Sequence, residues 1–222
     1  MRKTIFITGG TDGIGLETAK LLRADGHDIL VHGRNEEKLA NVKASLDAIA
    51  ANGSIHTYCA DLSNLSKVKA LADRVGKDHD HIDVLLNNAG LLKGPAAKTD
   101  AGYDFRFTVN TVAPYLLTQL LLPHLSSASR VINLSSAAQA PVDIEALLGN
   151  GELSDFDAYA QSKLALTMWS FNMAARLGKD GPAIIAVNPA SLLNSKMVRE
   201  STGAEGRDIG IGARILFRAA LS

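Results

Sequence analysis

Cysteine is almost missing from this 222-residue chain. Cys59 stands alone, which excludes an intrachain disulfide and a cysteine-built metal centre. It is expected to be a small buried apolar side chain at a strand end. Long apolar runs are missing too: none approaches the roughly 18 residues of a membrane span. Met1–Thr8 begins with charge but returns to polarity after Ile5, Phe6 and Ile7, short of the roughly 7–15 apolar residues of a secretory leader. Net charge is absent, with 23 basic against 23 acidic residues, so nothing points to nucleic acid or an anionic membrane. There is no G-x-S-x-G turn, which argues against a serine hydrolase. No low-complexity tract, short repeat or linker divides the chain. These absences predict a soluble cytoplasmic protein made of one domain, 1–222, in a reducing compartment.

What is present has the make-up of a packed globule: 46% hydrophobic and 21% charged residues. Short apolar runs alternate with helical spacing. Strands are expected at 4–8, 28–32, Ile55–Cys59, 82–86, Arg130–Leu134 and Ala183–Val187. Helices are expected at 14–24, 36–51, 65–75, about 101–125, 158–177 and Ile209–Leu221. The longest irregular stretches are 135–157 and 189–207. This rhythm predicts an α/β fold, a single doubly wound, Rossmann-type parallel sheet with helices on both faces. Six strands are readable and a seventh, C-terminal one is not.

Between the first strand and helix lies Thr8-Gly9-Gly10-Thr11-Asp12-Gly13-Ile14-Gly15. Glycines let the backbone turn sharply and approach a pyrophosphate, and the helix N-terminus offers unpaired N–H groups. A glycine turn without a ligand is the alternative. The second strand ends in His32-Gly33-Arg34-Asn35. An arginine there accommodates a 2′-phosphate, where an acid would favour NAD. Arg34 thus favours NADP(H) over NAD(H), against the alternative of a solvated surface arginine. Asp12, an acid in the glycine turn, opposes that preference. Asp61, past the third strand, is placed to meet the adenine edge or to cap a helix, a role contested by Ser63.

Tyr159 and Lys163 stand at i and i+4, one turn apart on a helix face. A nearby ammonium lowers a tyrosine pKa and suits it to proton transfer. By itself the pair could be a surface coincidence. Ser135-Ser136, at the end of the fifth strand, would add a hydroxyl that polarises the same substrate oxygen.

These features occur in order with Asn87-Asn88-Ala89-Gly90, Val109-Asn110 and Val187-Asn188-Pro189. Together the set resembles the short-chain dehydrogenase/reductase family over nearly the whole chain. Gly33-Arg34-Asn35 and the long gap from Ser136 to Tyr159 are similar to its retinol-dehydrogenase-like and protochlorophyllide-reductase-like branch. The resemblance implies hydride transfer between a nicotinamide and a small, uncharged alcohol or carbonyl substrate. It implies Tyr159 as acid/base, Lys163 as its partner and ribose ligand, Ser136 holding the substrate oxygen, and Asn110 completing a tetrad. It implies a cofactor cleft made by Gly9, Thr11, Asp12, Gly13, Ile14, Gly15, Arg34, Asn35, Asp61, Leu62, Asn87, Ala89, Gly90, Tyr159, Lys163 and Pro189. It also implies a homodimer or homotetramer. A dinucleotide-binding regulator without chemistry is the rival reading, and it would be marked by a missing tetrad member; none is missing.

The chain departs from the family pattern at Ala190, where glycine is usual, at Ser195, near the usual threonine, and in the unread seventh strand. Substrate choice is expected in the loops 91–100, 137–157 and 192–207. Pro114 lies four residues after Asn110 and cannot donate to its carbonyl. A kink is therefore expected, freeing that carbonyl toward the cleft to hold a water of the family's proton relay. A kink that only follows the core's curvature is the alternative. His79-Asp80-His81 has no third ligand cluster, so no metal is expected. Trp169 and Phe171 are expected to pack, and Arg199-Glu200 and Lys179-Asp180 to be solvated surface.

Overall fold

Six short strands lie side by side in one parallel sheet: β1 (Thr4–Ile7), β2 (Asp28–Gly33), β3 (Ile55–Cys59), β4 (Val84–Asn87), β5 (Arg130–Leu134) and β6 (Ala183–Val187). Their order is β3-β2-β1-β4-β5-β6. The computed structural model describes residues 1–203 and 205–222, and all of their side chains except those of Glu200, Ser201 and Thr202. Ala204, inside the third specificity loop, and the Glu200 side chain of the expected surface pair lie outside the described residues.

The central strands are largely apolar because both faces are covered. Successive side chains point to opposite faces, so Phe6, Leu30, Leu85 and Val131 enter one core while Ile5, Ile7, Val31 and Leu86 enter the other. Helices α1 (Gly13–Ala24) and α2 (Glu36–Asp47) carry Ala19, Leu22, Leu39 and Val42 into the second core, and α3 (Leu65–Asp78) carries Val68, Leu71 and Val75 into the first. Burying each such Leu or Val contributes about 1.5–3 kcal/mol. The chain winds outward from β1 to β3, then restarts at β4 and runs the other way to β6. The reversal opens a crevice at the carboxyl ends of β1 and β4, where ligands bind in such sheets.

The helix expected near 101–125 starts later and is not uniform. Asp104 caps it, accepting from Arg106 and Phe107 N–H, and α4 (Phe105–Phe107) passes into a π-helical turn, Thr108–Val112. The turn ends with Ala113 N–H on the Thr108 carbonyl, an i→i+5 bond. Helix α5 (Ala113–Leu121) follows. Pro114 follows at once and has no N–H for the Asn110 carbonyl, so the regular ladder is interrupted here. The stretches read as irregular contain two short helices, α6 (Ile144–Leu147) and α8 (Lys196–Thr202). Helix α7 (Asp155–Leu177) begins one turn earlier than expected, capped by Ser154, and α9 (Ile209–Leu221) has the expected bounds.

One expectation fails at a sheet edge. Cys59 is exposed, because β3 is an outer strand with β2 on one side only. At the other edge β6 is only half-buried. Among the described residues no helix is long and apolar enough to cross a membrane.

Candidate active site

The glycine turn after β1 is packed against the segment leaving β4. Gly9 has φ +64°, and a Cβ there would lie 2.8 Å from the Ala89 Cα. At Gly15 a Cβ would collide with the Asn88 amide. Thr8 Oγ1 accepts the N–H groups of Asn88 and Ala89, both at 3.1 Å. Asn88 Nδ2 donates to the carbonyls of Thr8 (2.9 Å) and Gly9 (3.1 Å). Asn88 is thus the side chain that holds the turn, a role the sequence reading did not assign. Asn87 points away: it is buried, donating to Thr118 Oγ1 and Asn133 Oδ1, and only its backbone can reach the cleft. Asp12 caps α1 by accepting the Gly13 N–H at 2.7 Å. Ile14 is partly buried against the second core, and Ala89 against the first.

On the adenosine side, Gly33 leaves room for Thr11, whose Cγ2 would lie 2.5 Å from a Cβ there. Arg34 and Asn35 are exposed, and Asn35 caps α2 through the Lys38 N–H. Asp61 turns back on Ser63, accepting from its N–H and Oγ. Burial opposes its charge, but the Ser63 bonds, with Lys67 and Arg34 nearby, outweigh that and hold the carboxyl below its ordinary value. Neither Asp61 nor Ser63 caps α3; Asn64 does, accepting from Ser66 and Lys67. Leu62 is buried in the first core, so its side chain packs there instead of lining the cleft. Pro189 is buried after β6.

The tetrad residues converge between β5, α7 and the π-helical turn. The Tyr159 hydroxyl faces the Ser136 side chain, which favours its ionised form. Ser136 Oγ also accepts the Ala138 N–H at 3.1 Å. Ser135 faces the other way, its Oγ 2.7 Å from Thr167 Oγ1, so only the second serine of the pair serves the cleft. Lys163 is 3% exposed; its Nζ donates to the Leu134 carbonyl at 2.7 Å and lies 5.6 Å from the Tyr159 ring centre. Burial pulls the Lys163 pKa down to about 8. Burial pushes Tyr159 above its ordinary value, with the Ser136 hydroxyl beside it working against that. This corrects the expectation that Lys163 lowers the tyrosine pKa. The i, i+4 spacing sets the ammonium over the ring and aims it at the Leu134 carbonyl, not at the phenol oxygen.

Asn110 has no exposed surface. Its Nδ2 donates to the Leu91 carbonyl (2.9 Å) and to Ser162 Oγ (3.0 Å), and its Oδ1 accepts the Leu91 N–H (2.9 Å). Ser162 Oγ donates in turn to the Tyr159 carbonyl at 2.7 Å, and Thr111 Oγ1 to the Ser162 carbonyl at 2.7 Å. The π-helical turn is thereby fastened to the helix that carries Tyr159 and Lys163. Arg106 adds a second clasp, pairing with Asp104 and, at 2.7 Å, with Asp155 at the start of α7.

Ala190, in the position where glycine is usual, has φ +89°, and Ser195 caps α8. His79 Nε2 lies 2.8 Å from the Tyr58 hydroxyl and its ring stacks edge-on with His56. Among the described residues no three potential ligands gather around a metal site. Trp169 packs edge-on against Tyr115 at 5.5 Å, but Phe171, expected to pack, is 71% exposed on the outer face of α7. Arg199, Lys179 and Asp180 are exposed.

A family model described as short chain dehydrogenase matches residues 3–206. The chain is 34% identical to the "Retinol dehydrogenase 13" of Mus musculus over 194 residues, which is 84% of this chain and 58% of that protein. It is 31% identical to the "Polyprenol dehydrogenase" of Homo sapiens, over 83% of this chain and 58% of that one. The chain thus spans a little under two thirds of the length of these curated relatives. A metagenomic short-chain oxidoreductase solved in complex with NADP superposes with a TM-score of 0.71 at 28% identity, covering 99% of this chain and 92% of its own. A short chain dehydrogenase from Burkholderia cenocepacia in complex with NADP gives 0.76 at 26%, covering 98% and 90%. A match of that extent, over the same strands and helices that assemble the cleft, places the chain in the short-chain dehydrogenase/reductase family, within its retinol-dehydrogenase-like branch.

Proposed function

We propose that this protein is an NADP(H)-preferring oxidoreductase that moves a hydride between the nicotinamide and a carbonyl or alcohol carbon, with Tyr159 as acid/base. The observation that carries the reading is the Ser136–Tyr159–Lys163 cluster, which lies beside the glycine turn in one crevice. The cleft fits a dinucleotide. Gly90 leaves bare backbone between the turn and the catalytic helix; a Cβ there would stand 3.3 Å from Lys163 Nζ and 3.4 Å from Asn110 Oδ1. When bound, the nicotinamide supplies or takes the hydride.

The substrate oxygen is held by Ser136 Oγ and the Tyr159 hydroxyl. In reduction Tyr159 donates its proton to that oxygen; in oxidation it removes it. The raised pKa keeps the Tyr159 hydroxyl protonated and suits it as the donor. The Asn110 carbonyl, opposite Pro114, then holds the water that returns the proton. Arg34, beside the small Gly33, would pair with a 2′-phosphate, in keeping with the NADP complexes among the solved relatives. Exposed Tyr103, Ile144, Leu148, Phe156 and Leu192 lie in or beside the specificity loops. They favour an apolar substrate, as do relatives named for retinol and polyprenol. Exposed apolar side chains on α5 (Leu120) and α7 (Met168 and Phe171) favour a homodimer or homotetramer.

The test is NADPH oxidation and NADP reduction with a panel of apolar aldehydes, ketones and alcohols. Turnover with at least one apolar pair, and slower turnover with NADH, is expected. Cofactor binding with no turnover across the panel would overturn the reading.

A further inference from the structure

His32, near the end of β2, is 3% exposed and uses both ring nitrogens. The Gly9 N–H donates to Nδ1 at 3.3 Å, so Nδ1 carries no proton. The proton is therefore on Nε2, which donates to the Ala60 carbonyl at 3.0 Å. The His32 carbonyl accepts the Gly10 N–H, also at 3.0 Å. One residue thus ties two successive amides of the glycine turn and reaches across to the segment that follows β3, where Ala60 leads into Asp61. Behind the turn, Ala89 leaves no room at Gly9 for a side chain. Burial lowers the ring's pKa to about 4, against the pull of the Ala60 bond and of Asp61, so the imidazole stays neutral.

We propose that His32 is a positioning residue for the dinucleotide: its neutral Nε2–H imidazole ties the glycine turn at Gly9 to the Ala60–Asp61 segment that follows β3, fixing the spacing between the pyrophosphate and adenosine ends of the cleft. This rests on the oxidoreductase reading above. The Gly9 and Gly10 amides are directed inward to His32, which leaves amides beyond Gly10 to meet a phosphate. The side chain touches neither the tetrad nor the reacting atoms; it acts through the backbone it holds.

The test uses three variants with dissociation constants for NADPH and NADH, steady-state kinetics and histidine NMR. His32→Phe keeps a ring and loses both bonds, His32→Asn keeps an acceptor near Nδ1, and His32→Gln keeps a donor near Nε2. His32→Phe should weaken both dinucleotides at least ~10-fold, with the other two variants in between. With cofactor saturating, kcat should stay within ~3-fold, so the effect lies in KM. In the cofactor-free wild type, the His32 ring should show the Nε2–H tautomer and no titration between about pH 5 and 8. If His32→Phe fails to fold, the Asn and Gln variants and the tautomer carry the decision. Binding within twofold of wild type in the variants that fold, an equal fall in kcat and affinity, or an Nδ1–H or titrating ring would overturn the proposal. A wild type that binds neither dinucleotide would overturn the oxidoreductase reading instead, and the tautomer would still report whether the latch exists.

Discussion

Replacing Lys163 by methionine should stabilise the cofactor-free protein near neutral pH while removing its activity. The ammonium is buried, and among the described residues no carboxylate pairs with it; its hydrogen-bond partner is the Leu134 carbonyl. Burial lowers its pKa from the ordinary 10.5 to about 8. Below about pH 8 both folded and unfolded chains hold the proton, and the folded state bears the full cost of charging a buried group. Between about 8 and 10.5 the unfolded chain binds one proton more, so wild-type stability rises with pH; above that the cost is gone. At roughly 1.4 kcal/mol per pH unit the cost is about 3 kcal/mol. Methionine removes it but strands the Leu134 carbonyl, a loss of about 1–2 kcal/mol. The variant should thus be more stable by about 1–2 kcal/mol near pH 7, and the order should reverse toward about pH 10. Urea unfolding of both proteins at about pH 6.5, 8 and 9.5 would show the gap closing. A variant weaker than wild type at neutral pH, or a gap that ignores pH, would refute the reasoning.

Tyr159→Phe should cut turnover at least ~100-fold and leave the cofactor dissociation constant within a fewfold, because one oxygen is lost and the ring stays; substantial residual turnover would remove the acid/base assignment. Arg34→Ala should lower the preference for NADPH over NADH by ~10- to 100-fold, the equivalent of one charge-assisted hydrogen bond; competitive titrations showing an unchanged ratio would count against it. Asn110→Ala strands the Leu91 N–H and carbonyl and removes the donor to Ser162 Oγ. It should destabilise by about 2–5 kcal/mol in urea, and a cost below about 1 kcal/mol would contradict the network. Ala190→Gly relieves a backbone at φ +89°. Relief of about 1–3 kcal/mol against about 1 for glycine's freedom should raise Tm by a few degrees, and a lower Tm would show that the strain is absent.

The strands Ile55–Cys59, Arg130–Leu134 and Ala183–Val187 were legible because each is a short run bounded by turn residues, and the meeting of Tyr159 and Lys163 because i, i+4 spacing puts both on one helix face. What escaped depends on neighbours distant in sequence. Cys59 is exposed because β3 is outermost, which strand order decides and local pattern does not. The roles of Asn87 and Asn88 differ because a strand ending at Asn87 turns one inward to Asn133 and leaves the next to hold the glycine turn. The Tyr159 shift followed burial and the aim of Lys163, neither of which spacing reports. Helices α6 and α8 are four and seven residues long, too short for periodicity to rise above their caps. Pro114 announced an interruption, but the form it took, a wide turn fastened by Thr111 to α7, comes from packing.

That wide turn makes the site sensitive to the length of the chain as well as to its side chains. A π-helical turn is in effect an α-helix with one residue too many. Removing one residue between Asn110 and Ala113 would let the helix close more regularly. Everything before the deletion would then rotate by about 100° relative to α5. Leu117 and Leu121 could keep their places in the core. Asn110 would swing away from Leu91 and Ser162, and α7 would lose that tie. The surplus residue is thus a one-codon difference between a more regular helix and one fastened to α7.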